Sequence, residues 1–420
     1  MKRIITILMI FTLMMTMCLT SADFAAGASR SEINDAYKKT GDYIYSVVKD
    51  PVCDSIGGCW AMYGLAKAGY DMPKSYISKY EKAVISALNE GYRGVKGQLH
   101  DRKYTEYSRV IVAFSEIGLD PEDVGGYNLV GKLADYDKVI WQGVNGPIWA
   151  LRALDAGDYN IPKAEGVTKK TTRQKLINSI LDQQLPDGGW ALSGNKSDPD
   201  LTGMALTALA PYKSQKKVKT AIDKAVDWLS KAQLEDGSYA TFGDRTAESC
   251  AQVICGLTAV GINPNTNSKF IKNGKSVLDG LMTFYDAKSG GFRHVNEASG
   301  GYEPVVNQMA TEQAYYALAH YKTSVPDQAV INSVKKSSDT ALKVSWKKTT
   351  VGSGYEILAA TNSKFTKNVE TIKVSGRNST SKAIKDLKKG KTYHIKVRAY
   401  KTVNGTKLYG EYSAVKKVKL

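Results

Sequence analysis

Six short segments of this chain are apolar on nearly every side, built largely from Ala, Leu and Gly, and they recur. They are Ile56–Gly69, Thr105–Gly118, Asn145–Gly157, Leu201–Tyr212, Ala247–Gly261 and Met309–Tyr321. Their starts fall about 40 to 60 residues apart, which is the signature of a repeated structural unit. Most end on Gly or Tyr before a polar turn, as helix C-termini do. Between them lie helices of a different kind. In Lys217–Gln233, Val218, Ile222, Ala225, Val226, Leu229 and Ala232 share one face, and Lys and Asp take the other. A helix apolar all round must be buried on both sides, whereas an amphipathic one has a single buried side. Six of each in alternation fit a closed double ring of six inner and six outer helices in antiparallel pairs. An open stack would need polar end caps, and the sequence shows none.

The connections carry a second pattern. Gln184–Trp190, Gln233–Tyr239 and Lys288–Phe292 each place glycine in a turn and then an aromatic that packs back on the helix ends. Segments such as Val226–Tyr239 resemble the glutamine–tryptophan repeats of squalene–hopene cyclases. Residues 31–323 as a whole resemble the terpenoid cyclase and protein prenyltransferase superfamily of α/α-toroids, and Gln142–Tyr159 is similar to its bacterial cell-surface branch. The resemblance implies an (α/α)6 toroid whose substrates lie where the inner helices begin. Unpaired N–H groups and the helix dipole make that face locally positive.

From about residue 329 the period drops from 3.6 to 2. Ala341–Trp346 and Gly354–Leu358 alternate, and Thr392–Tyr400 puts Tyr393, Ile395, Val397 and Ala399 on one face. Asn404-Gly405 is a tight-turn pair. These features predict a β-sandwich of about seven strands over 329–420, and so an α + β multidomain chain. The stretch resembles a fibronectin type III domain. Trp346 matches its core tryptophan, Leu387 with Tyr393 its tyrosine corner, and Gly410-Glu411-Tyr412-Ser413 its last turn. The resemblance implies a spacer or binding unit. Residues 324–328, with Pro326, read as the linker.

Charge separates the two parts. Val325 to Leu420 carries 21 Lys/Arg against 6 Asp/Glu, so +15 of the formal +17 sits there. Such a tail calls for an anionic partner. Lys2 and Arg3 before the apolar run Ile4–Leu19, with Ala26-Gly27-Ala28 after it, predict a signal peptide over residues 1–28. Export makes a cell-wall polymer or glycan the expected partner, and nucleic acid an unsuitable one. There is no second long apolar run, so no transmembrane segment is expected. Cys53, Cys59, Cys250 and Cys255 would remain after cleavage. Cys53 and Cys59 are spaced to allow a local disulfide. Cys250 and Cys255, five apart on a helix, point about 140° away from each other and should not bridge.

Candidate chemistry gathers at the inner-helix starts. Asp198-Pro199-Asp200-Leu201-Thr202 is similar to the aspartate-rich motif of squalene–hopene cyclases. The resemblance implies Asp200 as proton donor to an alkene, but Leu201 stands where the motif has its third aspartate. The plainer alternative makes Asp200 or Thr202 a helix N-cap. Glu248 and Cys250 match two zinc ligands of protein prenyltransferases, yet Thr311-Glu312-Gln313 lacks the histidine of the third, and His320 lies two turns further on. Two ligands do not make a catalytic zinc site, so neither metal nor cofactor is expected. Glu106, Asp200, Glu248 and Glu312 could instead supply a carboxylate pair for glycan cleavage, or serve as ordinary dipole partners. Trp60, Tyr63, Tyr107, Trp149 and Tyr315 are expected to line a central cavity or to fill the core. The chain has no G-x-S-x-G elbow, Cys–His signature, phosphate loop or EF-hand loop. The expected function is ligand binding or structural work by the toroid, with wall association by the basic module. The rival is an enzyme, cyclase-like or prenyltransferase-like through Asp200, or polysaccharide-active through paired carboxylates.

Overall fold

The structure, a computed structural model, describes residues 29–161 and 166–420. The signal peptide expected over residues 1–28 lies outside them. The chain enters on α1 (Arg30–Val47) and α2 (Trp60–Ala68), followed by α3 (Lys74–Glu90) and α4 (Thr105–Ile117). Two four-residue helices, α5 (Leu129–Lys132) and α6 (Tyr136–Val139), come before α7 (Asn145–Ala156) and α8 (Arg173–Asp182). Next are α9 (Pro199–Leu209) and α10 (Lys216–Ala232). A small hairpin of β1 (Ala240–Thr241) and β2 (Asp244–Arg245) precedes α11 (Ala247–Val260). The helical part closes with α12 (Val277–Met282) and α13 (Gln308–Ser324).

The six apolar segments become neighbours. α2 packs on α4, α4 on α7, α7 on α9, α9 on α11 and α11 on α13, and α13 returns to pack on α2. Small residues let the backbones approach. A Cβ on Gly256 of α11 would lie 2.6 Å from the Gly203 carbonyl oxygen of α9, so only glycine fits that crossing. The amphipathic helices flank this set, with α10 burying Val218, Ile222, Ala225, Val226 and Leu229. The outer layer is less regular than six equal helices: α5 and α6 share one position, and α12 has only 6 residues.

The connections explain the glutamine and aromatic pattern. Trp190 Nε1 donates to the Ile180 carbonyl at 2.7 Å, and the Tyr239 hydroxyl to the Leu229 carbonyl at 2.9 Å. Both rings thereby cap the helix they follow. Gln184 Nε2 donates to the Gly188 and Ala221 carbonyls, which ties α8 to α10, and Gln233 Nε2 to those of Gly237 and Phe270, which ties α10 to the connection before α12. The aromatic is then fixed to the coming inner helix: Trp190 N donates to Thr202 Oγ1, and Phe292 N to Thr311 Oγ1.

The C-terminal part has its own core around Trp346, Tyr355, Ile357, Tyr393 and Ile395. One sheet joins β3 (Ile331–Ser338), β4 (Ala341–Trp346) and β7 (Ser381–Ile384). The other runs β10 (Lys416–Lys419), β8 (Thr392–Val403), β5 (Gly354–Ala360), β6 (Glu370–Ser375), with β9 (Thr406–Tyr409) also on β8. Eight strands stand where seven were expected, because the last one is broken. β9 and β10 both pair antiparallel with β8, and the chain leaves the ladder between them. Gly410 sits at the break, where a Cβ would meet the Pro326 carbonyl oxygen at 2.4 Å. The Tyr393 hydroxyl accepts from Lys388 N at 2.9 Å, closing the expected tyrosine corner.

Candidate functional site

The inner helices begin on one face, and a chamber of about 250 Å³ opens among their first turns. α9 enters it through a cap that differs from expectation. Asp198, not Asp200 or Thr202, is the N-cap: its carboxylate accepts from Leu201 N at 2.8 Å, and Pro199 occupies the first turn where no N–H is needed. Thr202 is occupied with Trp190. Asp200 is thus released from capping and lines the chamber. Burial pushes its carboxyl up to about 7, although a hydrogen bond from Ser249 opposes the rise. Its Oδ1 is buried without a partner.

Glu248, in the first turn of α11, stands beside it. Glu248 Oε2 meets His294 Nδ1 at 2.8 Å, while Glu248 Oε1 has no partner. The hydrogen bond to Glu248 raises the His294 pKa against the opposing effect of burial, so the protonated ring is favoured relative to an ordinary histidine. His294 also returns its carbonyl to Ala247 N at 3.1 Å, fixing its loop to the start of α11. Across the chamber, Arg109 of α4 lies over two indoles, 5.6 Å from the Trp60 ring and 5.4 Å from that of Trp149. Its Nη1 donates to Ser55 Oγ at 2.8 Å and Glu106 Oε1 at 3.1 Å. The floor is polar and aromatic. Gln252 Nε2 donates to Gln313 Oε1 at 2.7 Å and also meets the Tyr316 hydroxyl.

The expected residues divide. Asp200, Glu248, Trp60 and Trp149 come together in the chamber. Tyr107 does not: its hydroxyl accepts from Leu99 N and donates to the His100 carbonyl, each at 3.0 Å. Tyr315 points outward instead, 5.6 Å from the Tyr37 ring of α1. Its successor Tyr316 lines the chamber, one residue along and about 100° round the helix. Glu312 is also turned away, accepting from Gly57 N at 3.0 Å in the turn that leads into α2. Burial pushes it up to about 7. Glu106 is committed to Arg109. His320 lies at the far end of α13, 2.6 Å from the Tyr63 hydroxyl. Cys53 and Cys59 are free thiols, so the local disulfide is not formed; Cys59 Sγ is taken up by the Tyr80 hydroxyl at 3.3 Å. Cys250 is buried, and among the described residues no group of three His, Cys, Asp or Glu side chains could hold a metal.

Sequence reasoning missed Arg109, Asn145, Gln252, His294 and Gln313 as chamber residues. Four of them lie on inner helices, within reach of the rule that singled out helix starts. His294 comes from a connection, and no spacing links it to Glu248.

The C-terminal match is definite. Residues 329–414 are a Fibronectin type III domain. The helical region resembles copalyl diphosphate synthases. That of Streptomyces anulatus is 27% identical over 167 residues, 39% of this chain and 29% of that protein. That of Streptomyces cyslabdanicus is 29% identical over 199 residues, 46% of this chain and 36% of that protein. The chain therefore spans about a third of the length of the curated relatives it matches. Among solved structures, ent-copalyl diphosphate synthase from Streptomyces platensis aligns over 63% of this chain and 50% of that chain, with 21% identity and a TM-score of 0.41. No described helix is long and apolar enough to cross a membrane.

Proposed function

We propose that this is an exported, cell-surface binding protein. Residues 31–323 form an α/α-toroid that holds a compact ligand without transforming it. Residues 324–328 join it to a basic module, residues 329–420, that associates with anionic wall polymer or glycan. The supporting observation is the set of buried polar atoms left without partners around the chamber: Trp60 Nε1, Arg109 Nε, Asn145 Oδ1, Trp149 Nε1, Asp200 Oδ1 and Glu248 Oε1. Each such atom costs about 1–3 kcal/mol unless something meets it. Donors on α2, α4 and α7 face acceptors on α9 and α11, and Asn145 Oδ1 adds an acceptor on the α7 side, so a ligand with polar groups at opposite ends suits the chamber. A volume of about 250 Å³ fits a compact molecule or the end of a longer one.

The test is to titrate the full chain with geranylgeranyl diphosphate and, separately, with soluble wall-glycan fragments. Tryptophan emission and product formation are followed together. A saturable change in emission with the ligand recovered intact is the expected result. Wall association is read by pelleting the chain with isolated cell walls as salt rises. Retention at low salt and release at high salt are expected, since exposed charges are screened within about 10 Å at 0.1 M. No retention at low salt overturns that part.

One observation favours a second reading. Asp200, raised to about 7, still holds its proton in about half the molecules near pH 7, in a chamber walled by Trp60, Trp149 and Tyr316, a setting suited to proton donation and to a cationic intermediate. Turnover of the diphosphate that disappears in Asp200→Asn would establish this reading in place of the first.

A further inference from the structure

At the opposite end of the inner helices lies a second, larger cavity of about 510 Å³. Every inner helix contributes to its wall, and its cover comes from the sandwich, through Lys401, Val403 and Asn404 at the β8–β9 hairpin. The cover is fastened. Asn404 Nδ2 donates to the Ala259 carbonyl at 3.0 Å, and Lys401 Nζ to the Thr323 carbonyl at 2.6 Å. Leu408 is buried in the helical core, and Val403 packs against it.

The charges around this cavity do not balance. Its two carboxylates are already engaged: Glu116 with Lys67 at 3.2 Å, and Asp155 with Arg173 at 2.9 Å and the Tyr212 hydroxyl at 2.8 Å. Arg152 is left over. Among the described residues it has neither an ion pair nor a hydrogen bond, and its guanidinium lies 4.3 Å from the Trp149 ring centre. Helix C-termini attract cations, and a carbonyl accounts for Lys401, but Arg152 donates to none. Burial and the Lys67 charge push the Lys401 ammonium down. Burial, Lys67 and Arg152 together hold the His320 ring neutral. The Thr258 hydroxyl is buried here without a partner. The Arg152 guanidinium and the Thr258 hydroxyl are left without partners, and Lys401 has N–H groups beyond the one given to Thr323; an anion with hydrogen-bonding oxygens would meet all three.

We propose that this interdomain cavity binds a small molecule bearing a phosphate or carboxylate group, held by Arg152 from the helical unit and Lys401 from the sandwich. The site is separate from the chamber at the helix starts and does not depend on what that chamber does. It is incomplete without the sandwich, which gives the fusion of the two units a role beyond tethering.

The probes are inorganic phosphate and glycerol 3-phosphate, added to the full chain at ionic strength matched with chloride. Thermal midpoint and tryptophan emission are the readouts, because bound ligand stabilises the folded state and Arg152 sits on Trp149. A saturable rise in midpoint with a change in emission is expected. Arg152→Gln should weaken it about 10- to 100-fold, the effect of losing one charge-assisted hydrogen bond. Lys401→Met should also weaken it, which a site built by the helices alone would not show. Trp149→Phe should remove the emission change and keep the thermal one. Tighter binding of glycerol 3-phosphate than of phosphate assigns contacts to the organic body, and equal binding assigns recognition to the anion. No response beyond that of chloride, or an undiminished response in Lys401→Met, overturns the proposal. Lys401→Met also removes the bond to the Thr323 carbonyl, so Lys401→Arg, which keeps the charge and a donor for that carbonyl, should restore the response and decides the matter even if Arg152→Gln fails to fold.

Discussion

Replacing Asp200 by Asn should stabilise this protein at neutral and alkaline pH. In the folded chain burial pushes the carboxyl up to about 7, against 3.8 for an ordinary aspartate. Below the lower value both folded and unfolded chains hold the proton, and the group contributes nothing to the pH dependence. Between the two values the unfolded chain releases the proton while the folded chain keeps it, so stability falls as pH rises. Above about 7 the whole penalty is present. At about 1.4 kcal/mol per pH unit, the gap corresponds to about 4 kcal/mol. Asparagine keeps the shape and never ionises, but its amide adds a donor that must find an acceptor, so a net gain of about 2–3 kcal/mol at pH 8 is expected. Urea unfolding of the full chain at pH 5 and pH 8, followed by tryptophan emission, measures it. The wild-type midpoint should fall between these values more steeply than that of the variant. Some slope should survive, because Glu312, also raised to about 7, acts in the same direction. His294 adds to it, since its raised pKa gives stability that is lost as pH climbs through that value. Parallel midpoints for the two proteins from pH 5 to 8 would refute the assignment of Asp200 as a buried neutral acid.

Other expectations follow from single contacts. Gly256→Ala forces a methyl group against the Gly203 carbonyl and should destabilise the helical unit by about 1–3 kcal/mol, read as a lower urea midpoint. Tyr393→Phe leaves Lys388 N without its acceptor and should lower the stability of the sandwich by about 1 kcal/mol in calorimetry, with the helical transition unmoved. In the chain lacking residues 1–28, and so Cys18, a thiol reagent should react slowly with the native protein, since Cys59, Cys250 and Cys255 are buried, and should titrate all four of Cys53, Cys59, Cys250 and Cys255 after unfolding without reductant. A count of two would reveal the bridge between Cys53 and Cys59.

Much of the fold could be read from periodicity, because a helix buried on all sides carries few polar residues, and those sit mainly in the first turns. The inner segments, the amphipathic α10 and the period-2 strands Ala341–Trp346 and Thr392–Val403 are all of this kind. The irregular outer helices were not legible, since α5, α6 and α12 are too short to show a period. The site was half legible. Position at a helix start marked Asp200 and Glu248, but the start alone does not say which way a side chain turns. Glu312 sits at an equivalent point and looks outward to Gly57. Tyr315 and Tyr316 exchange roles through the same rotation. The capping residue was misjudged by two positions, since Pro199 shifts the helix start back to Asp198. The pairing of Glu248 with His294, 46 residues away in sequence, depends on how a connection folds back, and no local pattern records it.

Asp200 is a buried carboxylic acid that keeps its proton up to about pH 7 beside a chamber with unmet polar atoms. Carbonyl-carbon NMR of the ¹³C-labelled full chain, titrated with pH and assigned through the signal missing in Asp200→Asn, reads that state directly. A midpoint near 7 for Asp200 is the predicted result. A midpoint near 4, the value of an exposed aspartate, would contradict it.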